Sequence, residues 1–135
     1  MKAVILTYML SIFALPALSQ GDLDRDVEAT IGAQIEALRA DDFATAFTFA
    51  SPGIQGIFGT SERFGAMVQQ GYPMVWRPSE VRYLDLESRG GQLFQQVLIR
   101  DAAGALHLLE YQMVRVDEAW RVNGVILLRP PGVGA

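Results

Sequence analysis

Apolar residues recur every three or four positions in the segment that begins near residue 22. Between Asp22 and Arg39 this stripe consists of Leu23, Val27, Ile31, Ile35 and Leu38. Such spacing places the apolar side chains on one face of an amphipathic helix. Asp22 can cap the N-terminus of that helix, because its carboxylate accepts hydrogen bonds from free backbone N–H groups. The pattern predicts a long first helix with one buried face.

Three further helical segments follow, and each begins at a residue whose side chain can cap a helix. The predicted caps are, in order, Asp41 or Asp42, then Ser51, then Thr60 or Ser61. Pro52 fits the first helical position of the middle segment. Gly59 and Gly71 are natural stops, because glycine readily adopts the left-handed conformation at a helix end. The first half of the chain is therefore predicted to form a layer of helices.

After Pro78 the pattern changes to the alternation that is typical of strands. Four runs are predicted, near 80–87, 92–100, 106–116 and 120–128. They are separated by short turn signals, so neighbouring strands should pair as antiparallel hairpins. Helices followed by an antiparallel meander indicate the α+β class, with the helices packed on one face of the sheet.

The alternation also predicts which side of the sheet is buried. On the third strand the side expected to face the helices carries His107, Leu109, Tyr111 and Met113. On the last strand that side is expected to carry Trp120, Val122, Ile126 and Leu128. The opposite side then keeps an apolar patch, made of Val114, Val116, Val125 and Leu127. Such a patch favours a homodimer through the sheet, and ordinary surface hydrophobicity is the alternative.

The first 19 residues have the features of a secretory signal peptide. Lys2 precedes the apolar run Ala3–Leu15, Pro16 ends it, and small residues lie at Ala17 and Ser19, where a signal peptidase reads the chain. The run is shorter than the about 20 residues that cross a bilayer, and an uncleaved N-terminal anchor is the alternative. Cleavage would give a periplasmic or extracellular protein.

The predicted mature chain has one domain, residues 20–129, and a loose tail, residues 130–135. The whole sequence has a net charge of −4, and its arginines are scattered rather than clustered. An acidic surface repels phosphate backbones, which argues against nucleic acid as a partner. There is no cysteine and one histidine, so no zinc or copper ligand set is predicted. The sequence also lacks the glycine loops that hold nucleotide cofactors, and no cofactor is expected.

The order of the parts resembles a known superfamily. A long helix is followed by RADDFATAFTFASPGIQGIFGT (Arg39–Thr60), another helix, GYPMVW (Gly71–Trp76) and a closing strand AWRVNGVILL (Ala119–Leu128). This order is similar to that of the nuclear transport factor 2-like superfamily, and more narrowly to a family of secreted bacterial proteins within it that has no assigned function. The resemblance spans about residues 24–134.

The resemblance implies three N-terminal helices packed in the concave face of a curved, mostly antiparallel four-stranded sheet. Proteins of this shape form a cone with a cavity between helices and sheet, and they often dimerise through the sheet. No particular chemistry is implied, because the fold carries enzymes, binding proteins and dimerisation modules alike.

The segment GYPMVWRP, Gly71 to Pro78, concentrates large apolar side chains between two prolines. Tyr72 and Arg77 each precede a proline, which favours an extended conformation and predicts an extended link across the wide end of the cone. With three residues from other elements, its aromatic and methionine side chains make up the predicted ligand pocket: Phe47, Tyr72, Met74, Trp76, His107 and Tyr111. Core plugging is the alternative for these side chains. Arg77 can face an anionic ligand or pair with a nearby acid such as Glu80.

His107 is the one candidate for acid–base chemistry, since imidazole titrates near neutrality. Its candidate partners are Asp41, Asp42 and Asp85, although the first two also fit a helix cap. Two kinds of function stay open. The first is a non-catalytic binding or interaction module that holds a small apolar ligand. The alternative is a cofactor-free isomerase, lyase or hydrolase that uses His107 as general acid or base.

Overall fold

The helical layer comes first along the chain, as the caps and periodicity predict. A computed structural model describes residues 20–128; the predicted signal peptide and the predicted tail lie outside the described residues. The described helices are α1 (Gln20–Arg39), α2 (Phe43–Thr48), α3 (Pro52–Phe58), α4 (Ser61–Gly71) and α5 (Pro73–Trp76). The strands are β1 (Pro78–Arg89), β2 (Gln92–Asp101), β3 (Leu106–Val116) and β4 (Ala119–Leu128). The α+β class is confirmed.

Side-chain caps set the starts of three helices. The side chains of Asp42, Ser51 and Thr60 accept hydrogen bonds from the backbone N–H groups of Thr45, Ile54 and Arg63, respectively. Each bond satisfies one of the N–H groups that a helix leaves free at its first turn. Gly59 ends α3 with a φ of 78°, a conformation that glycine adopts without steric cost.

The segment between the last long helix and the sheet is not extended throughout, so that prediction was wrong. Pro73 occupies the first position of the single helical turn α5, where its fixed φ suits a helix and its missing N–H costs nothing. Tyr72 and Arg77 have φ values of −135° and −133° with ψ values of 53° and 64°, so neither residue is helical or fully extended. These are the two residues that precede proline, and their clash with the proline ring keeps them out of the helical region.

The strands form one sheet in the order β1-β2-β3-β4, and every neighbouring pair is antiparallel. Its inner face packs against α1, whose apolar stripe is almost completely buried. Within the described residues no helix is long and apolar enough to cross a membrane. The largest fully buried side chain is that of Tyr111, on β3.

A β-bulge in β4 changes the predicted faces of the last strand. Met113 pairs with Val122 and Gln112 pairs with Gly124, which leaves Asn123 as an extra residue. Because side chains alternate strictly along a strand, one extra residue exchanges the two faces for everything after it.

The predicted faces after the bulge were therefore wrong. Val125 pairs with the inward Tyr111 and Leu127 with the inward Leu109, so both lie on the inner side of the sheet. Ile126 and Leu128, which were predicted to face the helices, lie on the outer side. Val114 and Val116 remain on the outer side, as predicted.

The bulge is held by the start of α3. The backbone N–H of Ser51 donates to the carbonyl of Val122 at 2.8 Å, and the N–H of Val122 donates to the carbonyl of Phe49 at 2.8 Å. The Ser51 hydroxyl donates to Oδ1 of the bulged Asn123 at 2.7 Å, while its oxygen accepts the N–H of Ile54. We call these contacts the Ser51–Asn123 clamp. They fix the helical layer to β4 at the point where the strand changes face.

Replacing Ser51 by alanine should therefore cost more than a lost helix cap. We expect Ser51→Ala to lower the free energy of unfolding by about 2–3 kcal/mol, since a cap and a buried hydrogen bond are lost together. Chemical denaturation measures the change. Thr60→Ala, which removes an exposed cap, is the control and should cost about 1 kcal/mol. Equal losses in the two variants would show that the bond to Asn123 contributes nothing.

Candidate ligand cavity

A cavity of about 210 Å³ lies between the helical layer and the inner face of the sheet. Most of its wall is apolar and comes from α1, α3, α4, α5 and β4. The apolar lining residues are Leu38, Ala50, Ile54, Phe58, Phe64, Met67, Val68, Val75, Val122, Gly124 and Val125. Val125 reaches the cavity only because of the bulge at Asn123, so the Ser51–Asn123 clamp shapes this wall.

Three polar side chains also line the cavity, and two of them have partners. The amide nitrogen of Gln34 donates to the carbonyl of Ala46 at 3.2 Å. The hydroxyl of Tyr72 donates to the carbonyl of Val125 at 2.9 Å. Tyr111 is the third polar side chain.

The hydroxyl of Tyr111 is the exception among buried polar groups. It is the only buried side-chain nitrogen or oxygen of the described residues that has no hydrogen-bond partner. Burial raises its pKa well above the ordinary value, and the neighbouring Tyr83 and Tyr72 raise the pKa further. The phenol therefore stays protonated at physiological pH and keeps a proton that it can donate.

The helix α3 closes one side of the cavity and packs against the core through two partly buried side chains, Ile54 and Phe58. Its Ile54 and Phe58 side chains line the cavity, whereas Ile57 points outward with 74% of its surface exposed. None of the residues of α3 is fully buried. The amide of Gln55 donates to the carbonyls of Phe47 and Ala50 at 3.0 and 3.1 Å, so polar bonds hold the start of α3 in place.

The predicted pocket residues divide between this cavity and other parts of the structure. Tyr72 and Tyr111 line the cavity. Met74, Trp76 and His107 line a separate groove of about 400 Å³. The sixth residue, Phe47, packs against the ring of Phe64 with centroids 5.4 Å apart. From the segment GYPMVWRP, Met74 was predicted to line the cavity, and Val75 lines it instead.

The groove contains a His–Asp pair that the sequence prediction missed. Nε2 of His107 lies 2.8 Å from Oδ2 of Asp101, and not beside Asp41, Asp42 or Asp85. The other oxygen, Oδ1 of Asp101, accepts the N–H groups of Ala103 and Ala105 and so holds the β2–β3 hairpin. The bonds from His107, Ala105 and Ala103 lower the pKa of the Asp101 carboxyl. Acid–base catalysis by His107 stays a prediction.

Trp76 and Arg77 tie α5 to the end of α1. The indole N–H of Trp76 donates to Oδ1 of Asp41 at 2.8 Å. The guanidinium of Arg77 bonds both oxygens of Asp41 and the carbonyls of Leu38 and Arg39. It also stacks on the Trp76 ring at 4.0 Å. Arg77 therefore pairs with a nearby acid, as one of the two predictions had it, but that acid is Asp41 and not the suggested Glu80.

Asp41 also ends α1 by its backbone. Its φ is 57°, and the N–H groups of Asp41 and Asp42 donate to the carbonyls of Leu38 and Ala37. These are the two hydrogen bonds of a Schellman motif, in which a residue in the left-handed conformation terminates the helix. Of the two aspartates predicted as a helix cap, Asp42 caps α2, whereas Asp41 terminates α1.

No metal site accompanies these residues. Across residues 20–128 there is no group of three or more His, Cys, Asp or Glu side chains that could hold a metal ion.

The sequence prediction missed Gln34 as a residue of the cavity wall, although the sequence contained a signal for it. It is a lone polar residue next to Ile35 in the buried stripe of α1, and it is itself buried.

The carboxylate of Asp41 should contribute stability that depends on pH. Hydrogen bonds from Trp76 and from Arg77 lower the pKa of Asp41. A lowered folded-state pKa stabilises the protein above the unfolded pKa, near 4, and this stability is lost as the pH falls through the folded value. Asp41→Asn should therefore destabilise the protein at neutral pH, and the difference from wild type should shrink as the pH falls below the ordinary aspartate range.

Denaturation at a series of pH values measures this difference, and asparagine keeps the left-handed backbone accessible. The NMR signal of the Trp76 indole N–H gives a local readout. It should titrate below the ordinary aspartate range, with the Trp120 indole as internal control. If the midpoint of the change in the Trp76 signal lay at or above the ordinary aspartate range, the lowered pKa of Asp41 would be contradicted.

Comparison with known proteins gives a family and a fold. The sequence model of a family described as Domain of unknown function (DUF4864) matches residues 20–135. No curated protein matches the chain. Among solved structures, the chain is similar to a SEC-C motif containing protein from Rhodopseudomonas palustris. The two are 16% identical, the match covers 79% of this chain and 86% of that chain, and the TM-score is 0.58.

A second similar structure is Aln2 from a Streptomyces species. It is 16% identical, the match covers 84% of this chain and 94% of that chain, and the TM-score is 0.52. At such low identities the likeness to both structures shows the fold alone.

Proposed function

The chain belongs to the DUF4864 family, a domain of unknown function, and from its geometry we propose that it is a non-catalytic binding module for a small apolar ligand. The observation that carries the proposal is the apolar cavity, whose lining residues include Tyr111, a residue with a buried and unpartnered hydroxyl. Ligand sites in proteins are commonly of this kind, with a mainly apolar wall and a few polar groups that orient the ligand.

The size of the cavity supports a role in binding. Protein interiors are close-packed and leave few voids larger than a water molecule, whereas this opening has about 210 Å³. One larger side chain at Val125 or Val68 could fill part of this volume, so its presence supports a role in binding.

The proposed place of action is the periplasm or the cell exterior. The signal-like residues 1–19 support this, and the family match begins directly after them, at residue 20. The proposed superfamily is the nuclear transport factor 2-like one, which the order of helices and strands supports. In that setting the cavity would take up its ligand outside the cytoplasm.

Two neighbouring residues on β4 allow a matched test of the cavity with toluene as the probe. Val125 lines the cavity, whereas Ile126 points to the opposite face and is 55% exposed. We expect toluene to shift the methyl NMR signals of Met67, Val68 and Val122 saturably in the wild type. Val125→Phe should abolish these shifts, because the ring fills the cavity, and Ile126→Phe should leave them unchanged.

If toluene does not shift the methyl signals of the wild type, the proposed binding function is wrong. So would a Val125→Phe variant that still folds, as shown by its amide spectrum, and still binds toluene.

We further propose that the outer face of the sheet pairs with a second copy of the chain. The bulge places Ile126 on this face, opposite Glu110 of β3, and Leu106, which is 45% exposed, lies further along the same face. Positive and negative side chains both lie on this face and form ion pairs, including Arg89–Glu110 and Arg100–Glu80. A surface that carries both signs can complement itself across a two-fold axis. This support replaces the predicted patch, two of whose four residues face inward.

The dimer is tested by placing a charge on the outer face of the edge strand β4. Ile126→Asp should convert a dimer into a monomer in sedimentation velocity, because a buried unpaired charge is costly. Ile57→Asp, on α3, is the control and should leave the dimer intact. A monomeric wild type, or an equal loss of dimer in both variants, would contradict this proposal.

A further inference from the structure

The polar groups in the cavity wall restrict the chemistry of the ligand. The donors of Gln34 and Tyr72 are already bonded to the carbonyls of Ala46 and Val125. The hydroxyl of Tyr111 is the buried group that has no partner within the described part of the chain. A buried donor without an acceptor costs about 1–3 kcal/mol. A ligand atom that accepts its hydrogen bond would recover this energy on binding.

Charge restricts the ligand further. None of the described residues that line the cavity is an arginine, lysine, histidine, aspartate or glutamate. Moving an ionised group into such a wall without a counter-charge is strongly unfavourable. The wall therefore selects against carboxylates and amines, even where their apolar parts would fit.

The volume sets the size of the ligand. An apolar cavity of about 150 Å³ takes up benzene, and this cavity has about 210 Å³. One six-membered ring with a short branch therefore fits, or a chain of similar volume. A fused polycyclic molecule would need the wall to move.

We infer that the ligand is a neutral molecule of about one ring, whose single acceptor oxygen binds the hydroxyl of Tyr111. The class includes monocyclic ketones, esters and ethers. The inference rests on the proposed binding function of the cavity and adds the chemistry of the ligand. Gln34 and Tyr72, which are satisfied within the protein, shape the wall and do not provide the main contact.

Three probes of nearly the same shape test the inference. Acetophenone carries a carbonyl, α-methylstyrene has a methylene group in place of the oxygen, and benzoate carries a charge. Their dissociation constants are measured by NMR on the full chain and on Tyr111→Phe, which removes only the hydroxyl. We expect the preference for acetophenone over α-methylstyrene to fall by about tenfold in the variant, which is what one hydrogen bond supplies. Benzoate should bind far more weakly than acetophenone.

An infrared measurement gives a second readout that does not depend on affinity. The carbonyl stretch of carbon-13 acetophenone should move to lower wavenumber in the wild type, as a hydrogen-bonded carbonyl does, and should lose this shift in Tyr111→Phe. The thermal unfolding of the ligand-free variant checks that it folds. We expect it to be at least as stable as wild type, because the substitution removes an unsatisfied buried group.

The outcomes separate the ligand chemistry from the binding function. If both neutral probes bind and their ratio is the same in wild type and variant, the role of Tyr111 is overturned while the cavity stands. Benzoate that binds as tightly as acetophenone would overturn the neutral ligand. If none of the probes binds the wild type, the proposed function falls together with this inference.

Discussion

The Ser51–Asn123 clamp is the contact on which both faces of the sheet depend. Side chains alternate along a strand with a period of two, so one extra residue exchanges inside and outside for the rest of β4. Ser51 holds that extra residue through its hydroxyl, and it holds Val122 through its backbone. As a result Val125 enters the cavity wall and Ile126 joins the outer face. The proposed ligand site and the proposed dimer surface are thus two consequences of one bulge.

The cavity lies between a firmly held end and a loosely held end of the helical layer. At α5, Trp76 and Arg77 converge on Asp41 and lock the link to the end of α1. This lock positions Val75 in the wall of the cavity. At α3, by contrast, no residue is fully buried, and stability comes from the cap at Ser51. Ligand exchange through the side closed by α3 would displace only partly buried side chains, which suits the proposed binding of small molecules.

Local chemistry made much of the fold predictable from sequence. A capping oxygen at Ser51 or Asp42 acts within one turn, so the residue type reveals the helix start. The bulge was not predictable in this way, because Asn123 is held by a residue that is distant in sequence. The same holds for the site. Tyr111 was identified by its inward alternation, but its missing partner depends on several elements at once. Asp101 looked like a turn residue, and its pairing with His107 became visible only when the hairpin was closed.

The pairing of β3 with β4 shows whether the bulge at Asn123 exists. In an NMR spectrum of the labelled protein, nuclear Overhauser effects between backbone protons identify the residues that lie opposite each other in the two strands. With the bulge, we expect contacts from Tyr111 to Val125 and from Met113 to Val122, with Asn123 as the extra, unpaired residue. A register that runs unbroken from the pair Met113 and Val122 would contradict it, since Val125 would then lie one position beyond Tyr111 and face away from the cavity.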